Sequence, residues 1–137
     1  MSKLLTDLDP RMRAAVAQLL TRVRDDLNFT IIVVDTLRTP TEQEHFISIG
    51  VSWTTRSKHL PQPCCGKSHA IDIVPKHLTV LKNWAPAHPD WTRLGELGES
   101  LGFEWGGRWK VRDCPHFQWK PPEELNVPRT AATRRRA

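Results

Sequence analysis

Apolar residues recur at helical spacing between Asp7 and Leu27, through Met12, Val16, Leu19, Leu20 and Val23, with Pro10 suited to a first turn. This pattern predicts an amphipathic helix. The run Phe29 to Val34 is dense in β-branched residues and too short for a helix, which predicts a buried strand in the middle of a sheet. Thr39, Pro40 and Glu42 supply a cap, a first-turn proline and a glutamate three places after the cap. They predict a second helix from Pro40 to Ile49, stopped by Gly50. From Val51 to Ser68, prolines and Gly66 interrupt any period and predict a surface loop.

The alternation resumes at His69 to Val74, where a period of two sets Asp72 on one face and Ile71 and Ile73 on the other. A third helix is expected from Pro89 to Leu101, weakened by Gly95 and Gly98 and ended by Gly102. Phe103 to Trp105 and Pro115 to Trp119 read as strands flanking Gly106 to Asp113, with His116 and Gln118 sharing a face. Helices alongside short paired strands predict an α+β fold, with helices packed on a central antiparallel sheet.

At 137 residues, 39% hydrophobic and 26% charged, the chain has the balance of an ordinary globular domain and enough length for its own core. One domain is expected over residues 1–120, followed by a flexible basic tail over 121–137 that carries Arg134, Arg135 and Arg136. Asp7, Asp9, Arg11 and Arg13 break up the first twenty residues, which read as neither a signal peptide nor a membrane span. Synthesis in the cytoplasm is the expectation, and three cysteines, two of them adjacent, do not suggest a disulfide framework. The net charge of +5 suits an anionic partner without choosing among nucleic acid, membrane and wall polymer.

Three segments present metal-competent side chains: Ser57 to His59, His69 to Asp72, and Asp113 to His116. A catalytic zinc takes three protein ligands from His, Asp, Glu or Cys and keeps one position open for water. Two histidines and a carboxylate meet that need, although an isolated histidine is more often a surface or core residue. The same segments lie within an ordered set: Arg38-Thr39 with Glu42-Gln43, Ser57-x-His59, His69-Ala70-Ile71-Asp72, Gly102-Phe103-Glu104-Trp105-Gly106-Gly107-x-Trp109, and Asp113-x-Pro115-His116-Phe117.

In these motifs the chain resembles the zinc peptidases that include D-alanyl-D-alanine carboxypeptidases and phage L-alanyl-D-glutamate endopeptidases, which share a fold with the Hedgehog signalling domain. The resemblance implies Zn2+ held by His59, Asp72 and His116, with Asp113 as general base. It also implies that Arg38 stabilises negative charge on a carbonyl or clamps a carboxylate, and that Ser57, Gln43 and Trp109 orient substrate or wall the cleft. The implied substrate is the stem peptide of bacterial peptidoglycan, cut by an endolysin-like monomer that acts on the cell wall without specific nucleic acid. An L-alanyl-D-glutamate endopeptidase leads, a D-alanyl-D-alanine carboxypeptidase is the alternative, and a non-catalytic metal-containing binding module is the alternative of another class.

One departure stands out. His59 and Asp72 lie 13 positions apart, about twice the family's usual interval, so Leu60 to Ser68 reads as an insertion. Should the insertion not be a surface excursion, His69 becomes the rival ligand. Cys64 and Cys65 fall within it and read as incidental or cleft-lining, because no second cysteine pair completes a structural zinc pattern. Trp105 and Trp109 are expected to wall the cleft, fill the core, or both.

Overall fold

The computed structural model describes residues 2–124 apart from 51, 53 and 55, so the arginine-rich end of the expected tail lies outside the described residues. Helix α1 (Pro10–Arg22) begins at Asp9, whose side chain caps the Arg11 amide, and continues into a π-helical stretch, Val23–Leu27. Strand β1 is Ile31–Asp35, helix α2 Pro40–Ser48 and strand β2 Ala70–Pro75. Helix α3 (Pro89–Ser100), strand β3 (Glu104–Trp105) and strand β4 (His116–Gln118) complete the order. With the π-helical stretch counted as part of the first helix, elements therefore fall where the periodicity places them, with ends shifted by at most three residues.

The sheet runs β1-β2-β4-β3 with every pair antiparallel, the expected α+β architecture. The placement of the Ile-Val run is corrected: β1 is an edge strand, and Ile32 is 38% exposed on it. Apolar density there reflects packing of one face. The central strands are β2, whose Ile71 and Ile73 are fully buried, and β4, whose Phe117 is fully buried.

Helix α1 delivers Met12, Val16 and Leu19 to that core, and Trp91 and Leu94 enter from α3. Gly95 and Gly98 are not defects of α3. A Cβ on Gly95 would sit 2.2 Å from the Trp105 ring, and one on Gly98 would sit 2.5 Å from Phe117. Two residues that lower helix propensity thus open the surface on which the β3 and β4 aromatics lie.

Helix α2 forms as its cap predicts: Thr39 accepts from the Glu42 amide, and the Glu42 carboxylate accepts from the Thr39 amide. Gly50 follows at φ +78°, a left-handed value that favours glycine. The long connection to β2 is pinched shut where the His69 amide donates to the Lys58 carbonyl at 2.9 Å. Beyond that pinch, Gln62 and Lys67 close the excursion, so residues 60–68 are looped out between two backbone positions that stay in register.

Candidate metal centre

Register in the sheet sets the centre. Asp72 stands opposite His116 across the β2–β4 ladder and opposite Asp35 across β1–β2. His59 arrives from the pinched connection, and His59 Nε2 lies 3.2 Å from Asp72 Oδ1, while His116 Nδ1 lies 3.3 Å from the same oxygen. The ligand atoms of His59, Asp72 and His116 all fall within 4.8 Å of one another. His69 is not part of this group.

The outer nitrogen of each imidazole is committed elsewhere. His59 Nδ1 meets the Thr36 carbonyl at 2.8 Å, and since a carbonyl only accepts, Nδ1 carries the proton and Nε2 keeps its lone pair. His116 Nε2 meets Gln118 Oε1 at 2.9 Å, and that amide's orientation follows from Gln118 Nε2 donating to Glu104 at 3.4 Å. His116 therefore offers Nδ1. Two lone pairs and a carboxylate converge, which is the donor set of a three-ligand zinc site.

Electrostatics point the same way. Burial opposes charge on Asp72, yet His59 and His116 outweigh it and hold the carboxyl well below the usual carboxylate range. Burial likewise opposes charge on His116, but Asp72 and Asp113 raise its pKa above the ordinary value. The pocket favours a positive charge between these groups.

Asp113 lies beside them, its Oδ2 3.9 Å from His116 Nδ1, with the side chain 46% exposed. The protein packed around its inner side and the negative charge on Asp72 raise its pKa above that of an ordinary aspartate. Gly106 makes that approach possible, since a Cβ there would sit 2.5 Å from the Asp113 carbonyl oxygen. Trp109 is buried against the His116 ring at 4.9 Å and donates to Glu104 at 2.8 Å. Trp105 is core, with its indole N–H on the Cys114 carbonyl.

Arg38 reaches in from the start of α2. Its Nε donates to Asp35, Nη1 to Gln43 Oε1 at 3.0 Å, and Nη2 approaches Asp72 Oδ2 at 3.4 Å. Gln43, buried, donates in turn to the Ser52 hydroxyl and the Thr54 carbonyl. Ser57 is buried beside His59 and accepts its amide at 3.1 Å, so its hydroxyl braces the connection.

The sequence reading left out Asp35 and Thr36. Asp35 holds Arg38 and lies 3.8 Å from His59 Nδ1, and burial raises its pKa against the pull of His59 and Arg38. The available signal was an acidic residue closing an apolar strand run three places before the arginine. Cys64 and Cys65, expected to be incidental or cleft-lining, lie with Asp9 and His69 in a second group of metal-competent side chains.

Comparison with known proteins adds relatives to this geometry. Residues 51–119, about half of the chain, match a family model described as D-alanyl-D-alanine carboxypeptidase. The match takes in His59, Asp72, Asp113 and His116 and begins after Arg38 and Gln43. The chain is 35% identical over 92 residues to the L-alanyl-D-glutamate peptidase of Listeria phage A118, covering 65% of this chain and 30% of that protein. It is 48% identical over 33 residues to the peptidoglycan L-alanyl-D-glutamate endopeptidase CwlK of Bacillus subtilis (strain 168), covering 23% and 20%. The chain thus spans less than a third of either of these relatives. The Serratia marcescens L-Ala D-Glu endopeptidase ChiX superposes with a TM-score of 0.61 at 25% identity, covering 85% of this chain and 83% of that one.

Proposed function

The chain belongs to the D-alanyl-D-alanine carboxypeptidase family of peptidases, and from that premise we propose that it is a zinc-dependent L-alanyl-D-glutamate endopeptidase acting on the stem peptide of bacterial peptidoglycan. The observation that carries this reading is the convergence of His59 Nε2, Asp72 and His116 Nδ1 beside Asp113, on a fold similar to that of an endopeptidase named for this bond. Zinc bound by those three residues supplies Lewis acidity, polarising a carbonyl and lowering the pKa of water to about 7.

The chain's own groups do the rest. Asp113, half-open to solvent, accepts the proton that an attacking water gives up and returns it to the leaving amine. Its raised pKa suits both halves of that task better than an ordinary aspartate would. Arg38 approaches Asp72 with one N–H and holds Asp35 and Gln43 with two more; its permanent charge suits it to offset negative charge that develops on the substrate. Trp109 walls the cleft beside His116. No helix among the described residues is long and apolar enough to cross a membrane, and a monomer working at the wall fits this reading.

Purified peptidoglycan incubated with zinc-loaded protein tests the proposal. New amino-terminal D-glutamate is the expected product. Free D-alanine with no new internal terminus would instead assign the carboxypeptidase activity for which the matching family is described.

A further inference from the structure

The second group of metal-competent residues lies outside the site just described. Asp9 caps α1, Cys64 and Cys65 sit at the tip of the 60–68 excursion, and His69 stands at the entry to β2. Their ligand atoms all fall within 4.8 Å of one another. His69 Nε2 lies 3.0 Å from Asp9 Oδ2 and 3.5 Å from Cys64 Sγ, and each sulfur lies 3.6 Å from Asp9 Oδ2. We propose that Asp9, Cys64, Cys65 and His69 form a second metal site, structural in kind, that takes zinc or a similar thiophilic divalent cation.

Geometry and chemistry both fit. A tetrahedral zinc with bonds of about 2.0 to 2.3 Å holds its ligand atoms roughly 3.3 to 3.8 Å apart. The distances from Asp9 and His69 to the sulfurs fall in or near that range, while the sulfur pair, at 2.8 Å, must open by roughly 1 Å to admit the ion. Two sulfurs, one imidazole and one carboxylate make a closed set that leaves no position for water, the mark of a structural rather than a catalytic site.

The surroundings supply the outer contacts such a site needs. Asp9 accepts Arg11 Nη2 at 2.8 Å, and Arg11 stacks over Trp119 at 5.3 Å. The charges of two thiolates, one carboxylate, one dication and Arg11 cancel. Asp9 and His69 are buried while both cysteines are exposed, so the fixed half of the site is preformed and the cation enters from solvent. A bound ion would tie the excursion to the start of α1, where Asp9 and Ser68 already exchange a backbone hydrogen bond at 3.0 Å.

Cobalt substitution separates the two sites. Co2+ bound to thiolate gives a near-ultraviolet charge-transfer band, and His59, Asp72 and His116 contain no sulfur to produce one. The unsubstituted chain is expected to bind two equivalents of Co2+ and show the band. The Cys64→Ser/Cys65→Ser variant should lose the band and one equivalent, whereas His59→Ala should keep the band and lose the other equivalent. In the unsubstituted protein, stoichiometric Zn2+ should protect both exposed thiols from an aromatic disulfide reagent, and a chelator should expose them. A single equivalent without the band overturns the proposal. So do thiols equally reactive with and without Zn2+, or a Cys64–Cys65 disulfide in protein purified under reducing conditions.

Discussion

The two clusters share imidazole and carboxylate, but only the second adds sulfur, and they differ in how they are built. The His59, Asp72 and His116 group is spread over three segments that the sheet register fixes, and it leaves Asp113 half-open to solvent on one side. The Asp9, Cys64, Cys65 and His69 group draws two of its four side chains from one loop tip and closes on itself. Openness beside a proton-accepting carboxylate is what hydrolysis requires, and closure with sulfur is what a staple requires. His69 and His59 exemplify the difference. The Lys58–His69 backbone bond places them as neighbours, yet their rings serve different clusters.

The comparison breaks most visibly at Asp113. Asp113→Ala is expected to lower kcat by about 10²- to 10⁴-fold while the metal at His59, Asp72 and His116 is retained, as measured by peptidoglycan turnover and metal content. Cys64→Ser/Cys65→Ser, assayed alongside, should leave turnover near that of the parent. Equal loss in both variants would mean the clusters are not functionally distinct.

Gln118→Ala comes next. Without the amide that fixes the His116 tautomer, metal affinity at the open cluster should fall by about 10- to 100-fold in a chelator competition, with the thiolate–cobalt band unchanged. Gly95→Ala sharpens the contrast from the other side, because the Trp105 ring must move away from α3. A cost of about 1 to 3 kcal/mol in denaturant unfolding is expected, weakening the framework that both clusters share.

The smallest effect concerns Asp9 as a cap. In chelated protein, Asp9→Ala should cost about 0.5 to 2 kcal/mol at neutral pH. The Arg11 hydrogen bonds, working against burial, hold the Asp9 carboxyl below its ordinary value. Its contribution is therefore full above the unfolded-state pKa of about 3.9 and is lost as pH falls through the lower native value. The stability gap between parent and variant should narrow only in that acid window; a gap that narrows near neutrality would point to another group.

Much of the open cluster was legible because each part carries a local signal. Asp72 sits on the polar phase of an alternating strand, His116 and Gln118 share a face, and the Thr39 capping box places Arg38 just ahead of a helix. What stayed hidden depends on contacts distant in sequence. Nothing local to Cys64 and Cys65 announces Asp9, 55 and 56 positions away. Gly95 and Gly98 read as weak points of a helix until the aromatic rings against them are seen. The apolar run of β1 resembles a central strand because burial of one face by a helix leaves the same composition as burial between two strands.

Anomalous diffraction at the zinc absorption edge, on crystals of zinc-loaded protein, tests the catalytic assignment most directly. The expected peak lies about 2.0 to 2.2 Å from His59 Nε2, an Asp72 carboxylate oxygen and His116 Nδ1. Absence of a peak there, or a single peak bound through His69 with His59 turned away, would contradict the account.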